Sequence, residues 1–275
     1  MTITTWGGLR AWAWEHHYRF AQSPHTAKSI LDNLPICPKQ RLREIDRPLL
    51  REVLTALRDG DKSDATIRRY FGVLMKTLRE AQKEGFMQVV PAVPEMPKVR
   101  KGRVRYLSRP EEDYLLTKAI DGPCATLYAV LLDTGLRVGE ALSLTWADCR
   151  DDGILVRESK NGESRTVPYT TRSRRILGLD EVLRLGAGPF SRIQKHTVNR
   201  DWNRIKATLD SLASDKEFVP HCLRHTFASR LVQRGAGLQV VKELLGHKRL
   251  ENTMIYAHLA PAQHEAAIKL LEMNQ

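Results

Sequence analysis

HCLRHTFASRL, residues 221–231, sets His221 and Arg224 three apart on one face of a helix that Val219-Pro220 opens. A helix start bearing His and Arg suits an anion, phosphate above all. The same stretch offers a rival reading. His221 and His225 have the i, i+4 spacing of a metal-binding helix, but Cys222 stands where zinc hydrolases place their glutamate base, so the expectation is no metal. Downstream lies LLGHKRLENTMIYAHL, residues 244–259, in which Gly246 breaks a helix, His247 follows at once and Tyr256 comes nine residues later. Taken alone, these would be a capping histidine and a packed aromatic. Upstream lies TGLRVGEALSLTW, residues 134–146. Gly135 permits a tight turn, and Arg137 begins a helix predicted over 137–145 with the apolar face Val138, Ala141, Leu142 and Leu144. A cation at a helix start opposes the dipole, so Arg137 calls for an anion or for Glu140 to steady it. Between these stretches, Asn161-Gly162 separates two β-rich runs, 153–159 and 164–169, a hairpin signal with Lys160 beside the turn.

Each residue has an ordinary explanation by itself; in order they match one reaction. A phosphodiester has a poor leaving group and a charged centre that repels nucleophiles. Two arginines can clamp the non-bridging oxygens and offset the charge of the transition state. A tyrosine can attack phosphorus and hold it covalently. Its phenol ionises near ~10, so a neighbour must take the proton or positive charge must favour the phenolate. A lysine can protonate the departing 5′ oxygen, and histidines can donate hydrogen bonds and handle protons.

The remaining sequence fits a DNA enzyme. The chain has 275 residues and a formal charge of +12, with 44 Lys and Arg against 32 Asp and Glu. Such an excess favours a polyanionic partner. It is uneven: residues 1–105 hold 20 basic and 11 acidic residues (+9), residues 106–275 hold 24 and 21 (+3). Hydrophobic residues make up 42%, enough for a true core. No apolar run approaches the ~20 residues of a membrane span, and the N-terminus does not read as a signal peptide. The four cysteines form no CxxC pair, which fits reduced thiols in a cytoplasm.

Residues 1–88 read as four helices: a Trp-rich segment over 5–21, a short helix over 24–33, one over 47–59 capped by Asp46 and stopped by Gly60, and one opened by Ser63 or Asp64. The last buries Ile67, Phe71, Leu74, Leu78 and Ala81 and ends at Gly85. Residues 89–106 read as a linker. Pro91, Pro94 and Pro97 stiffen it, and Lys98, Arg100, Lys101, Arg103 and Arg105 follow without an acid among them. Such a strap is either a solvated hinge or a run of phosphate contacts. Residues 107–275 open with a helix over 109–119 capped by Ser108, continue with one over 123–133, and turn helical again from about 195.

The motifs TGLRVGEAL, HCLRHTFAS and LLGH…Y resemble, in order and spacing, those of the tyrosine recombinases, the phage-integrase family. The resemblance covers essentially the whole chain. It implies a mainly α fold with a small antiparallel β-sheet: a helical core-binding (SAM-like) domain, a linker and a mixed α/β catalytic domain. By it, Arg137, Lys160, His221, Arg224, His247 and Tyr256 are the catalytic set, with Glu140 and His225 in support. It implies site-specific cutting and rejoining of double-stranded DNA through a 3′-phosphotyrosine, with no cofactor, by a homo-tetramer on two sites. The free protein would be a monomer or weak dimer, and accessory DNA-bending proteins would be possible partners. The segment after Tyr256 holds an amphipathic helix of the kind family members pass to a neighbour. The core-binding helices begin almost at residue 5, so the expectation is either a protein lacking the arm-binding domain of many phage integrases or a chain from which that domain has been removed. Integration or excision of a phage or mobile element is the leading role. Resolution or inversion at simple sites is the alternative, and a type IB topoisomerase is a more distant one.

Overall fold

The computed structural model describes residues 3–21, 23–99, 104–157, 164–179 and 187–261. The chain divides into two compact units, Met1–Lys101 and Gly102–Gln275.

In the first unit the described elements are helices α1 (Trp6–Ala13), α2 (Pro24–Asp32), α3 (Arg47–Asp59) and α4 (Asp64–Lys83), with a π-helical turn over Trp14–Tyr18 and a 3-10 turn over Leu42–Glu44. Their ends follow from local chemistry. Asp46 accepts from the Leu49 N–H at the start of α3 (2.9 Å), and Ser63 accepts from the Thr66 N–H at the start of α4 (3.3 Å). Ile67, Phe71, Leu74, Leu78 and Ala81 line the buried face of α4. They meet Trp6, Leu9, Leu31, Leu50 and Leu57 in one core. Burying each large side chain contributes roughly 1.5–3 kcal/mol, which offsets the cost of ordering the four helices. Trp6 is fully buried, while Trp12 and Trp14 pack against the core's edge. Residues 91–99 form no regular element, as three prolines dictate.

The second unit holds α5 (Arg109–Ala119), α6 (Ala125–Thr134), α7 (Val138–Leu142), strands β1 (Ile154–Val156) and β2 (Arg165–Val167), then α8 (Thr171–Ile176), α9 (Lys195–Lys206), α10 (Asp210–Ala213), α11 (His221–Gln233) and α12 (Leu238–Leu245). A 3-10 turn over Met254–Leu259 follows. Helix α6 is apolar all round (Leu127, Tyr128, Val130, Leu131 and Leu132 are buried), so it runs through the core with α11 packed against it. The strands pair antiparallel, Ile154 opposite Val167 and Val156 opposite Arg165. The hairpin tip, including Lys160, Asn161 and Gly162, lies outside the described residues. So does the expected tail helix beyond residue 261. This is the mainly helical fold with a small antiparallel sheet that the sequence predicts.

One element is shorter than expected. The helix predicted over 137–145 covers only Val138–Leu142. Thr145 and Asp148 form their own capping box, Asp148 accepting from the Thr145 N–H (2.9 Å) and hydroxyl (2.6 Å), and this starts a separate 3-10 turn. Among the described residues no helix is long and apolar enough to cross a membrane. Cys37, Cys124, Cys149 and Cys222 are free thiols.

Candidate functional site

The site is built where the ends of four helices meet in the second unit. Helix α6 stops at Gly135, whose left-handed φ of +63° closes the turn; a Cβ there would lie 2.3 Å from the Phe227 ring. Two residues on, Arg137 caps α7 from an extended backbone. Glu140, three residues into that helix, reaches back to the Arg137 N–H (2.9 Å) and to its guanidinium (2.5 Å). The cation at the helix start is therefore steadied by Glu140.

Glu140 is the electrostatic hub. Arg165 of β2 donates to both its oxygens (2.7 and 3.3 Å), and Arg224 lies 3.9 Å away. Burial alone would raise this carboxyl. Hydrogen bonds from Arg165 and the Arg137 N–H, with the surrounding positive charge, outweigh burial and bring it down to about 2.

Arg224 comes from the first turn of α11 and is 2% exposed. Its guanidinium donates to the Gly135 carbonyl (2.7 Å) and to the Leu245 carbonyl (2.5 Å). It thus ties the end of α6 to the end of α12. Burial, then the charge of Arg137, pushes it down to about 9, so it remains a cation at pH 7. His221 and His225 lie one turn apart on the same helix with rings edge to face, centroids 4.7 Å apart. Cys222 points away, donating to the Glu217 carbonyl (2.9 Å). Among the described residues no group of three His, Cys, Asp or Glu side chains converges to hold a metal.

Helix α12 ends at Gly246, again left-handed at φ +63°, which turns the chain into His247. His247 shares a hydrogen bond with the Thr253 hydroxyl (2.9 Å). Tyr256 follows on the 3-10 turn, 1% exposed, packed with Ala228, Val232, Val241 and Leu245. Its hydroxyl lies 2.7 Å from His225 Nδ1. Burial pushes the phenol up to about 12, with Arg224 pulling the other way. Burial, then the charge of His221, pushes His225 down to about 4. Burial and Arg224 do the same to His247, also to about 4, and lower His221. At pH 7 the phenol is protonated and His225 neutral, so Nδ1 can accept the phenol's hydrogen bond.

The structure thus brings together Arg137, Glu140, His221, Arg224, His225, His247 and Tyr256. Lys160, Arg100, Lys101 and Arg103 lie outside the described residues. Lys98 is exposed in the first unit. Arg105 departs from the expected phosphate strap. It is bound within the second unit by Asp215 (2.8 Å) and Glu111 (2.5 and 3.1 Å), beside the Phe218 ring. Two carboxylates occupy the guanidinium that the strap reading gave to phosphate.

Sequence reasoning missed Arg165. The strand's period of two puts Arg165 on the same face as buried Val167, but the carboxylate it meets there, Glu140, lies 25 residues away in sequence.

Residues 110–263 match the model of the phage integrase family. The chain is 30% identical to the tyrosine recombinase XerD of Shewanella oneidensis over 86% of this chain and 90% of that protein. Among solved structures it resembles the Tn1549 transposon integrase in complex with a circular intermediate DNA (TM-score 0.71, 18% identity, 99% and 100% of the two chains covered). It also resembles a lambda integrase bound as a dimer to a core site (TM-score 0.73, 20% identity, 92% and 77% covered).

Proposed function

The chain belongs to the phage integrase family of tyrosine recombinases, and from that membership we propose that it cuts and rejoins double-stranded DNA at specific sites through a 3′-phosphotyrosine on Tyr256. The observation that carries the reading is the Arg224 guanidinium. It bonds the ends of both flanking stretches, at Gly135 and Leu245, and lies beside Glu140, in a site that also seats Tyr256 against His225.

In this mechanism Arg137 and Arg224 hold the non-bridging oxygens of the scissile phosphate. Preorganised cations in a poorly solvated site stabilise the developing charge without reorganising. The Tyr256 oxygen attacks phosphorus, its proton passing to neutral His225, and the bond from phosphorus to the 5′ oxygen breaks. Lys160 protonates that leaving oxygen, and His221 and His247 donate hydrogen bonds. The freed 5′ hydroxyl of a partner strand then attacks the phosphotyrosine and releases Tyr256. The ester retains the bond energy, so ATP is not consumed.

The working assembly in this reading is a homo-tetramer on two DNA sites, acting in a cytoplasm, with DNA-bending proteins as assistants. Residues 1–88 and 107–275 form the core-binding and catalytic domains, joined by residues 89–106. The biological role is integration or excision of a phage or mobile element.

The test uses the full chain and a pool of nicked duplexes with randomised cores, whose cleavage cannot be reversed. Wild type is expected to leave a denaturant-stable protein–DNA adduct, and sequencing the captured DNA gives the site. Tyr256→Phe is expected to form no adduct while retaining DNA affinity, because only the phenol oxygen reacts. An adduct formed by that variant would assign the attack to another residue.

A further inference from the structure

We propose that Arg165, which the mechanism above does not use, is a positioning residue that sets the charge and aim of Arg137 and Arg224 through Glu140 and the end of α12. The proposal rests on the reading of the site as a phosphodiester-cleaving centre.

Arg165 begins β2, opposite Val156, and its side chain is 9% exposed. Each of its three guanidinium nitrogens donates a hydrogen bond inside the protein. Nη2 and Nη1 donate to the two oxygens of Glu140 (2.7 and 3.3 Å), and Nε donates to the Leu244 carbonyl (2.8 Å). The first pair is the planar fork that guanidinium forms with a carboxylate. The third bond satisfies a carbonyl left without a partner at the helix end, where a cation is favoured. Gly246 makes room for this arrangement, since a Cβ there would lie 2.8 Å from Arg165 Nη1.

Two consequences follow, the first of them electrostatic. Glu140 is shared. With three arginines (137, 165 and 224) around one carboxylate and the histidines neutral, the group carries 3 − 1 = +2 toward a phosphate. Without Arg165 it carries +1, and the buried carboxylate is shared by Arg137 and Arg224 alone, where low dielectric strengthens its pairing with the nearer Arg137 and draws that guanidinium back. The second consequence is geometric. Leu244 and Leu245 offer adjacent carbonyls, one held by Arg165 and the other by Arg224. The end of α12, which leads into His247 and Tyr256, is thereby fixed to β2 and α11 at once. A lysine has a single ammonium and cannot span carboxylate and carbonyl in this way.

The experiment compares single-turnover adduct formation on two nicked suicide duplexes. One has an ordinary scissile phosphodiester. The other has a methylphosphonate there, in which a methyl group replaces one non-bridging oxygen and removes the charge. Rates for Arg165→Met and Arg165→Lys are divided by the wild-type rate on the same substrate. Arg165→Met is expected to slow cleavage of the phosphodiester by roughly 10- to 100-fold, the scale of a misplaced catalytic group. On the methylphosphonate it is expected to stay within about threefold of wild type, because there is less charge to offset. Arg165→Lys should show the same pattern, less pronounced. Thermal unfolding checks that each variant is folded, and if Arg165→Met is not, the ratio for Arg165→Lys decides. Equal slowing on both substrates would mean a general structural role and overturn the proposal, as would no slowing on either. A wild-type chain that forms no adduct with the phosphodiester would instead sink the underlying recombinase reading.

Discussion

Two side chains at the site, His225 and His247, are held neutral by their surroundings, and this ties folding to pH. Both ionise ordinarily near 6.5, and burial brings each to about 4. Between those values the unfolded chain binds more protons than the folded one, so stability rises with pH across that window and is lost as pH falls from 6.5 toward 4. Allowing for partial exposure, the loss is on the order of 1–3 kcal/mol per histidine. The thermal midpoint of wild type should therefore drop across that range. The double variant His225→Gln, His247→Gln should show a flatter profile there. Identical profiles would mean that both rings remain hydrated in the fold. Glu140 acts lower on the scale: its contribution is present above 4.5 and disappears as pH falls to about 2.

Among the elements, the end of α12 is tightly constrained. Gly246 combines a left-handed backbone with close approach to Arg165, whereas Gly85, left-handed at φ +75° after α4, faces open space. Gly246→Ala is expected to cost roughly 1–3 kcal/mol from the backbone alone and to slow adduct formation, because the added methyl displaces Arg165. Gly85→Ala should carry a similar backbone cost and leave the cleavage rate unchanged. Chemical denaturation and single-turnover cleavage of the two variants check this, and equal cleavage rates would show that the α12 end tolerates the shift. The legibility of each element in the sequence follows the same division between local and distant causes. Helices α3 and α4 were readable because Asp46 and Ser63 cap them and their apolar residues recur at helical spacing. The arginine and histidine motifs were readable because the chemistry needs those residue types in that order. The early end of α7 came from a competing capping box at Thr145 and Asp148, and the burial of Arg165 from a carboxylate 25 residues away. Such long-range pairing leaves little trace in a local window of sequence.

For the whole molecule, the charge excess concentrates where the two units join in sequence. With Arg105 engaged by Glu111 and Asp215, the phosphate-contact reading of the strap rests on Lys98, Arg100, Lys101 and Arg103. Replacing those four by Gln should flatten the log–log dependence of DNA affinity on salt by roughly 2–4 units, at ~0.9 per phosphate released. Cognate and unrelated DNA should lose affinity alike, since phosphates carry no sequence information. Binding measured across a salt series decides it, and unchanged slopes would make the strap a plain hinge. A basic protein of this kind spends most of its encounters on the wrong DNA. In the proposed mechanism Tyr256, 1% exposed and seated on His225, would give those encounters no chemical outcome. With the proposed nucleophile sheathed in this way, arriving at a phosphate and breaking it would be separate events. Restraint toward the rest of a chromosome would then rest on uncovering that oxygen, as a latch does, as well as on how tightly each sequence is gripped.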